Sequence, residues 1–433
     1  MNSIWTDTAS SEKREQLSKD IKTDVLIIGG GITGILCAYM MKHAGVDCTV
    51  VEADRICSGI TKNTTAKLTF CHGLIYDKMI RRIGIEGARM YLEAQSLAIE
   101  KYRSICKEKD IECDMTELDS YVYSLDDRKK IEREVLALNK LGCAASFVKK
   151  TALPFDVAGA VRVEHQYQFH PLKFAFTIAK EVPIFENTKI LELRPDGART
   201  AHGRIVADKT VVATHFPFIN KHGSYFLKMY QHRSYVLALE RAADVNGMYV
   251  DENERGLSFR NYGSLLLLGG AGHRTGKSGG AWRELCAHAE KYYPDSRETA
   301  RWATQDCMTL DGMPYIGQYS ARTPNLYVAT GFNKWGMSSA MVSAMILCDM
   351  VMGRSNEYAS VFSPSRSMLR PQLAANAGEA ILGLITPTAP RCPHMGCALK
   401  YNRAEHTWDC SCHGSRFTDR GELIDNPATG DKK

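Results

Sequence analysis

The sequence predicts an α/β fold with a small all-β module at its C-terminal end. Three observations lead there. Residues 22–355 alternate apolar strand-like runs with amphipathic helical stretches. Near their start a strand, a glycine-rich turn, a helix and a second strand follow in the order a doubly wound sheet requires. Residues 391–433 are rich in Cys, His, Gly and turn residues, which suit short strands around ligands better than long helices. A chain of 433 residues exceeds one ordinary domain. With 44% hydrophobic and 24% charged residues it has a globular composition able to bury a sizeable core. The expected organisation is an N-terminal extension (1–21), the α/β unit (22–355), a linker (356–390) marked by Pro364, Pro371, Pro387 and Pro390, and the module (391–433).

Composition narrows the function. The net charge is +6 and no block of Lys and Arg stands out, so nucleic acid is not expected as a partner. Residues 1–20 are polar and carry both signs of charge, without the apolar core of a signal peptide. The apolar run 341–352 is broken by Asp349 and is too short to span a bilayer, so no transmembrane segment is expected and the location is read as cytoplasmic. Ten of the fourteen cysteines are scattered, as reduced thiols are. The other four fall within 392–412 and need their own explanation.

The strand at Asp24 continues through Val25, Leu26, Ile27 and Ile28 into Gly29-Gly30-Gly31-Ile32-Thr33-Gly34, and a second strand, Cys48 to Val51, ends at Glu52. In such a turn Gly29 permits the tight bend, Gly31 lets backbone approach a pyrophosphate, and Gly34 lets helix and strand pack closely. Ile32 and Thr33 open the helix, whose free N–H groups and dipole favour phosphate. Glu52 stands where a carboxylate accepts from ribose hydroxyls. The fingerprint alone does not choose between FAD and NAD.

Three further motifs do so by resemblance. Thr210-Val211-Val212-Ala213-Thr214, Asp311-Gly312-Met313-Pro314-Tyr315-Ile316-Gly317 and Ala329-Thr330-Gly331-Phe332-Asn333-Lys334-Trp335-Gly336-Met337 resemble signatures of the D-amino-acid-oxidase superfamily of FAD-dependent oxidoreductases, which includes sarcosine and glycine oxidases. The resemblance implies a Rossmann-like FAD-binding domain with an inserted antiparallel-sheet substrate domain. It implies that Ala213 and Thr214 return to the dinucleotide, and that Gly331, Asn333, Gly336 and Met337 bring backbone N–H groups to the flavin. Thr64, Thr65, Ala66 and Lys67 follow Glu52 at the distance where this superfamily contacts diphosphate and ring. His170 and Arg274 lie where a substrate domain borders the ring and are candidates for a substrate carboxylate, Arg274 through its bidentate fork. With Lys67 they are the weak catalytic candidates, set against structural or surface roles. Sarcosine oxidase holds its flavin through a cysteine ahead of the Asp-Gly signature. Cys307 is nearer to Asp311 than that spacing, so FAD is expected to be non-covalent.

In the module, Cys392-Pro393-His394-Met395-Gly396-Cys397 is followed, with fifteen residues between His394 and Cys410, by Cys410-Ser411-Cys412-His413-Gly414-Ser415-Arg416-Phe417. A structural zinc site pairs Cys with Cys and His with His, whereas each box here mixes one of each. The boxes resemble those of Rieske proteins, in which two thiolates hold one iron and two imidazoles the other. The resemblance assigns Cys392 and Cys410 to one iron and His394 and His413 to the second, forming a [2Fe–2S] cluster. It also implies a Cys397–Cys412 disulfide and a serine, Ser415, bonded to a bridging sulfide. Phe417 stands where the highest-potential members carry tyrosine, which lowers the expected potential within the family range. The module is shorter than usual ahead of its first box.

The whole chain resembles bacterial proteins that fuse an amino-acid-oxidase-like FAD domain to a Rieske module. That implies oxidation of a small-molecule amine or amino acid by hydride transfer to FAD. One-electron transfer through the cluster to an external protein or quinone would follow. The competing readings are an oxygen-using oxidase with a structural cluster and a non-catalytic redox sensor. A Rieske oxygenase needs a mononuclear iron held by two His and a carboxylate, and no motif for one is evident.

Overall fold

The computed structural model describes residues 2–220, 222–387 and 390–432. The dinucleotide sheet is built on three parallel central strands, with Ile21–Ile28 between Cys48–Val51 and Arg204–Val212. Registers Ile28↔Val51 and Ile28↔Val212 bring the three carboxyl ends to one edge. Gly29, Glu52 and Ala213 therefore meet there, where ligands bind in doubly wound sheets. Leu326–Thr330 continues the sheet in parallel and Tyr315–Gln318 closes it antiparallel. The helix Gly336–Val351, source of the apolar run read from the sequence, is buried almost all round. It is a central core helix, apolar on every face because it is covered on every face. Among the described residues no helix is long and apolar enough to cross a membrane.

A nine-stranded second sheet forms the substrate domain. Its pairs are antiparallel except Met248–Asp251 with Thr116–Ser124, which run parallel. One end of this sheet is the pair Met229–Glu240 and Arg297–Thr309, joined over twelve positions.

The C-terminal module is a four-stranded antiparallel meander, Leu399–Asn402, Thr407–Cys410, Arg416–Thr418 and Leu423–Asp425. Its core is small: Phe417, Leu399, Ala428 and the four cysteines. A core of that size is marginal by itself, and the module is held by the larger unit. Glu405 accepts from Arg233 (Nε 2.8 Å) and from Arg416 (2.7 Å), and Arg416 also pairs with Asp409 (3.2 Å) and Asp425 (3.0 Å). All but Asp425 lie deeply buried, so the network is screened little by water.

Two segments outside the sheets pack against the larger unit. Residues 2–20 are the first. Trp5 is fully buried and its indole donates to Thr64 O (2.8 Å), while Leu17 is buried and its N–H donates to Thr188 Oγ1 (3.1 Å). The linker carries the helices Ala359–Phe362 and Pro371–Ile385, and Arg366 within it binds Asp311 and the carbonyls of Met313 and Pro314. Proline there opens a helix at its first turn instead of breaking one.

The network makes docking depend on acid. Burial raises the Glu405 carboxyl, but Arg233 and Arg416 outweigh it and hold it at about 2. A carboxylate depressed on folding contributes stability that is full above its unfolded value, about 4.3, and lost as pH falls through the folded one. Module docking is expected to weaken between about pH 4 and pH 2. Glu405→Gln, which strands the buried Arg233 guanidinium and takes one of three carboxylates from Arg416, is expected to cost about 3–5 kcal/mol. Limited proteolysis of the 391–432 region and thermal denaturation at neutral pH measure this, and wild-type protection in the variant would refute it.

Candidate functional site

Glycine geometry builds the cofactor cradle. Gly29 has φ 112°, and a Cβ there would lie 2.6 Å from Ala213 O. A Cβ on Gly34 would lie 1.9 Å from Gly29 O, which is the helix–strand contact its position requires. Gly31 is open by comparison, its nearest neighbour being Thr61 Oγ1 at 3.3 Å. Glu52 is held by two backbone donors, Gly30 N (2.7 Å) and Asp54 N (3.0 Å), and burial raises its carboxyl against those bonds.

These residues open into a cavity of about 1230 Å³, larger than the roughly 300–1,000 Å³ of an ordinary small-molecule pocket. Its lining includes Gly29, Gly31, Ile32, Thr33 and Glu52 of the glycine turn and second strand, Thr64, Thr65, Lys67, Ala213 and Thr214, and Asn333, Gly336 and Met337 at the start of the long core helix. The open glycine turn, the held ribose-facing acid and the volume fit a dinucleotide with a substrate beside it. Of the other residues expected at the cofactor, Gly34 packs beneath the turn. Ala66 is fully buried, its carbonyl accepting from Arg260 (2.9 Å). Gly331, at φ 71°, gives Asn333 its anchor, Nδ2 to Gly331 O at 2.6 Å. Asn333 Oδ1 in turn accepts from Thr309 N (2.8 Å). Asn333 and Lys334 are both left-handed, at φ 50° and 75°. Adjacent non-glycine residues in that region mark strain concentrated at a site.

Three of the ionisable side chains that line this space, Lys67, Lys334 and Asp306, are shifted by burial. Lys67 is buried, touches Thr65 Oγ1 (3.4 Å), and is lowered to about 7 by burial and then by Arg260. Lys334, lowered by burial, donates to Glu254 O (3.3 Å). Asp306 is lifted by burial to about 6, against the pull of Lys334 and Arg233. The sequence reading missed Asp306 and Lys334. The signal available was polar residues on successive faces of one strand, Thr304 to Asp306.

Two candidates move away from this space. His170 is fully buried as the cap of helix Pro171–Ala179: its Nδ1 accepts from Lys173 N (3.2 Å), Nε2 bonds Thr8 Oγ1 (2.8 Å), and Trp5 stands edge-on at 4.9 Å. Arg274 turns to the module, donating to Ser411 O (2.9 Å), Cys412 O (3.1 Å) and Asn376 Oδ1 (3.0 Å). Its fork is occupied, which removes it as a substrate-carboxylate clamp. Cys307 lies in a separate apolar cluster with its thiol toward His215 O (3.5 Å).

The two ligand boxes fold alike. Cys392 N donates to Cys397 O (2.8 Å) and Gly396 N to Cys392 O (2.9 Å); Cys410 N donates to Ser415 O (2.9 Å) and Gly414 N to Cys410 O (2.9 Å). Gly396 and Gly414 turn the chain at φ 76° and 87°. Cys392, Cys410 and His413 are buried and His394 is half-buried. His394 and His413 face each other through Nδ1, 3.2 Å apart. His394 Nε2 is bonded to Asn220 Oδ1 (2.9 Å), which fixes the proton there and leaves Nδ1 as the ligating atom. Ser415 Oγ accepts from Ala428 N (3.0 Å), which leaves its own O–H free to donate. Two thiols and two neutral imidazoles on facing loops fit a mixed-ligand two-iron cluster. The structure does not show the expected Cys397–Cys412 disulfide: both are free cysteines, and with Cys410 their sulfurs lie within 4.8 Å. The helix Pro371–Ile385 covers this pair through Gly383, where a Cβ would lie 2.5 Å from Cys412 Sγ.

The strands Met229–Glu240 and Arg297–Thr309 separate cavity from module. Side chains alternate along a strand. Tyr230, Ser234, Thr304, Asp306 and Met308 line the cavity. Gln231, Arg233 and Gln305 point to the module. Gln231 Nε2 donates to His413 O (2.8 Å) and Asn426 O (2.8 Å), and Gln305 Nε2 to Gly414 O (2.9 Å) and Gln231 Oε1 (2.7 Å). The module also reaches the cavity directly through Leu423, Ile424, Asp425 and Asn426.

A family model of FAD dependent oxidoreductases matches residues 24–350, and a Rieske [2Fe-2S] domain model matches residues 381–432. The Rieske 2Fe-2S iron-sulfur protein YhfW of Bacillus subtilis (strain 168) is 32% identical across 98% of this chain and 95% of its own length. The gamma-glutamylputrescine oxidoreductase of Escherichia coli (strain K12) is 21% identical across 79% of this chain and 87% of its own. Among solved structures, glycine oxidase from Geobacillus kaustophilus aligns with a TM-score of 0.68 at 17% identity, covering 80% of this chain and 99% of that one. The last shows the fold.

Because cofactor cradle and ligand boxes are built from separate segments, their loading is expected to separate. His413→Ala should remove the iron–sulfur absorbance and leave the flavin-to-protein ratio at the wild-type value, since the Glu405 network still docks the module. Loss of both chromophores from soluble protein would show that the cradle depends on the cluster.

Proposed function

We propose, for a chain that belongs to the FAD dependent oxidoreductase family and carries a Rieske [2Fe-2S] domain, that it oxidises a carbon–nitrogen bond and passes the electrons singly through the cluster to an external acceptor. The substrate class is a small amine or amino acid, and the acceptor a protein or quinone. The FAD domain and cluster domain make it a flavoprotein oxidoreductase of the amino-acid oxidase and dehydrogenase type. One observation carries the finer reading: a single pair of strands presents one face to the cavity and the other to the loop between Cys410 and His413. Layers packed across a sheet lie on the order of 10 Å apart, so donor and acceptor sites are close without a mobile carrier.

The bound flavin supplies a two-electron acceptor and the cluster a one-electron one. The chain's residues do the rest. Lys67, Thr64, Thr65 and Lys334 all line the cavity, so two amines are available to a bound substrate or to the flavin ring. Asp306 is suited to take the proton of a substrate ammonium, because only the neutral amine can lose hydride from the adjacent carbon. A substrate ammonium that gives up one proton and one hydride leaves as the iminium ion, the protonated imine. The module residues 423–426 form part of the cavity wall beside the strand face.

A carboxyl raised to about 6 is charged, and able to accept that proton, above this pH. Turnover is expected to rise through about pH 6. Asp306→Asn should flatten that limb and lower kcat/KM by about 10²–10⁴-fold, the ordinary range for a lost general base. An unchanged profile would remove Asp306 from the reaction. Electron passage is tested separately. An anaerobic screen of amines and amino acids that bleaches the flavin should be followed by the paramagnetic signal of the reduced cluster. A reduced flavin standing for minutes beside an oxidised cluster, with rapid peroxide formation once air is admitted, would favour an oxygen-using oxidase instead.

A further inference from the structure

We infer that Arg274, a residue of the flavin domain, sets the reduction potential of the cluster in the neighbouring module. Arg274 ends the strand Leu265–Arg274. Two residues on, Gly276 at φ 74° brings that strand end against the second ligand box: a Cβ there would lie 2.5 Å from Ser411 N. Only glycine permits both the left-handed turn and the approach. The guanidinium then reaches the two residues between the ligands Cys410 and His413, donating from Nε to Ser411 O (2.9 Å) and from Nη2 to Cys412 O (3.1 Å). Its remaining arm goes to Asn376 Oδ1 (3.0 Å) on the helix covering the box, and its carbon sits 4.6 Å from the Tyr230 ring centroid. The carboxylate that acts on it, Glu379, is paired with Lys277. Arg274 is thus a partly buried cation bonded to neutral groups, and its charge is not cancelled locally.

Two effects act on the cluster in the same direction. With two thiolates and two neutral imidazoles, a pair of ferric irons and two sulfides sum to no net charge. Reduction adds one electron and breaks no bond, so the site becomes a single anion. A fixed cation beside the box favours that anion over the neutral form, and the enclosed position strengthens the attraction. The second effect is orientation. Carbonyl and N–H of a trans peptide point oppositely. Holding Cys412 O outward aims the His413 N–H the other way, where a ligand sulfur can accept it. Hydrogen bonds to ligand sulfur raise the potential of such clusters. Arg274 therefore compensates, from another domain, for the hydrogen bond that Phe417 cannot make. It is a positioning and tuning residue and touches neither substrate nor flavin.

The inference rests on the four-ligand cluster and not on flavin-to-cluster transfer, and its test uses chemical mediators so that the two can fail separately. Full-length holoprotein is titrated anaerobically while the paramagnetic signal of the cluster is followed. Arg274→Gln, which keeps an amide but removes the charge, should shift the midpoint down by at least the 59 mV that corresponds to a tenfold change for one electron. Arg274→Lys should keep more of the wild-type value, because the charge stays and only the fork is lost. Asn376→Asp leaves Arg274 in place and sets a carboxylate on its third arm; it should also lower the potential. A midpoint in Arg274→Gln equal to the wild type overturns the inference. If that variant carries no cluster, Asn376→Asp decides: a lowered midpoint supports the role, and an unchanged one refutes it.

Discussion

Everything distinctive here depends on one sheet edge with both faces in use. Strand side chains alternate, so a strand can serve two environments only if each face receives its own set of residues. In Met229–Glu240 and Arg297–Thr309 the two sets separate except at Tyr235, which lines the cavity and donates to Glu405 of the module (3.2 Å). Ser234, Thr304, Asp306 and Met308 face the cavity, and Gln231, Arg233 and Gln305 face the module. A one-residue register slip would exchange the sets, putting amides into the cavity and Asp306 against the cluster loop. The twelve-position pairing of these strands is what prevents it.

The module's small size follows from the same arrangement. Its apolar core is essentially Phe417, Leu399 and the cysteines, too little for independent stability. The larger unit supplies the rest in polar form. Arg233 completes the charge balance of Glu405 and Arg416, Gln231 and Gln305 satisfy backbone carbonyls of the second box, and Asn426 closes on the carbonyls of Thr214 and Phe216 (both 2.7 Å). These bonds are directional, so they set the orientation of the module as well as its attachment. The Cys397 and Cys412 thiols, shielded under Gly383, add a contact of the covering helix to both boxes.

The cavity shows the complementary economy. Its cofactor end is built from backbone, where glycines and a doubly held Glu52 leave little to vary. Its other end is built from side chains whose charges burial has moved, Lys67 to about 7 and Asp306 to about 6. Perturbed groups facing one enclosed space are where chemistry is expected, and the strained pair Asn333 and Lys334 lies beside them.

The parts legible in the sequence were those whose function depends on local spacing. A phosphate turn needs its glycines within six residues, and each ligand box closes its own hydrogen-bonded loop, so Gly29 to Glu52 and the pairs Cys392 with His394 and Cys410 with His413 carried their meaning in short strings. The apolar run 341–352 was legible as too short for a membrane, though not as the central helix of the core. What only the tertiary structure decided was which way a side chain faces. His170 and Arg274 have the right chemistry for a substrate carboxylate, and the sequence places them near the substrate sheet. One instead caps a helix beneath the Trp5 indole, and the other holds the cluster loop. Asp306, Gln231 and Gln305 went unnoticed for the converse reason. A strand covered on both faces loses the polar–apolar alternation that reveals orientation, and the partner covering the second face is folded more than a hundred residues further along the chain.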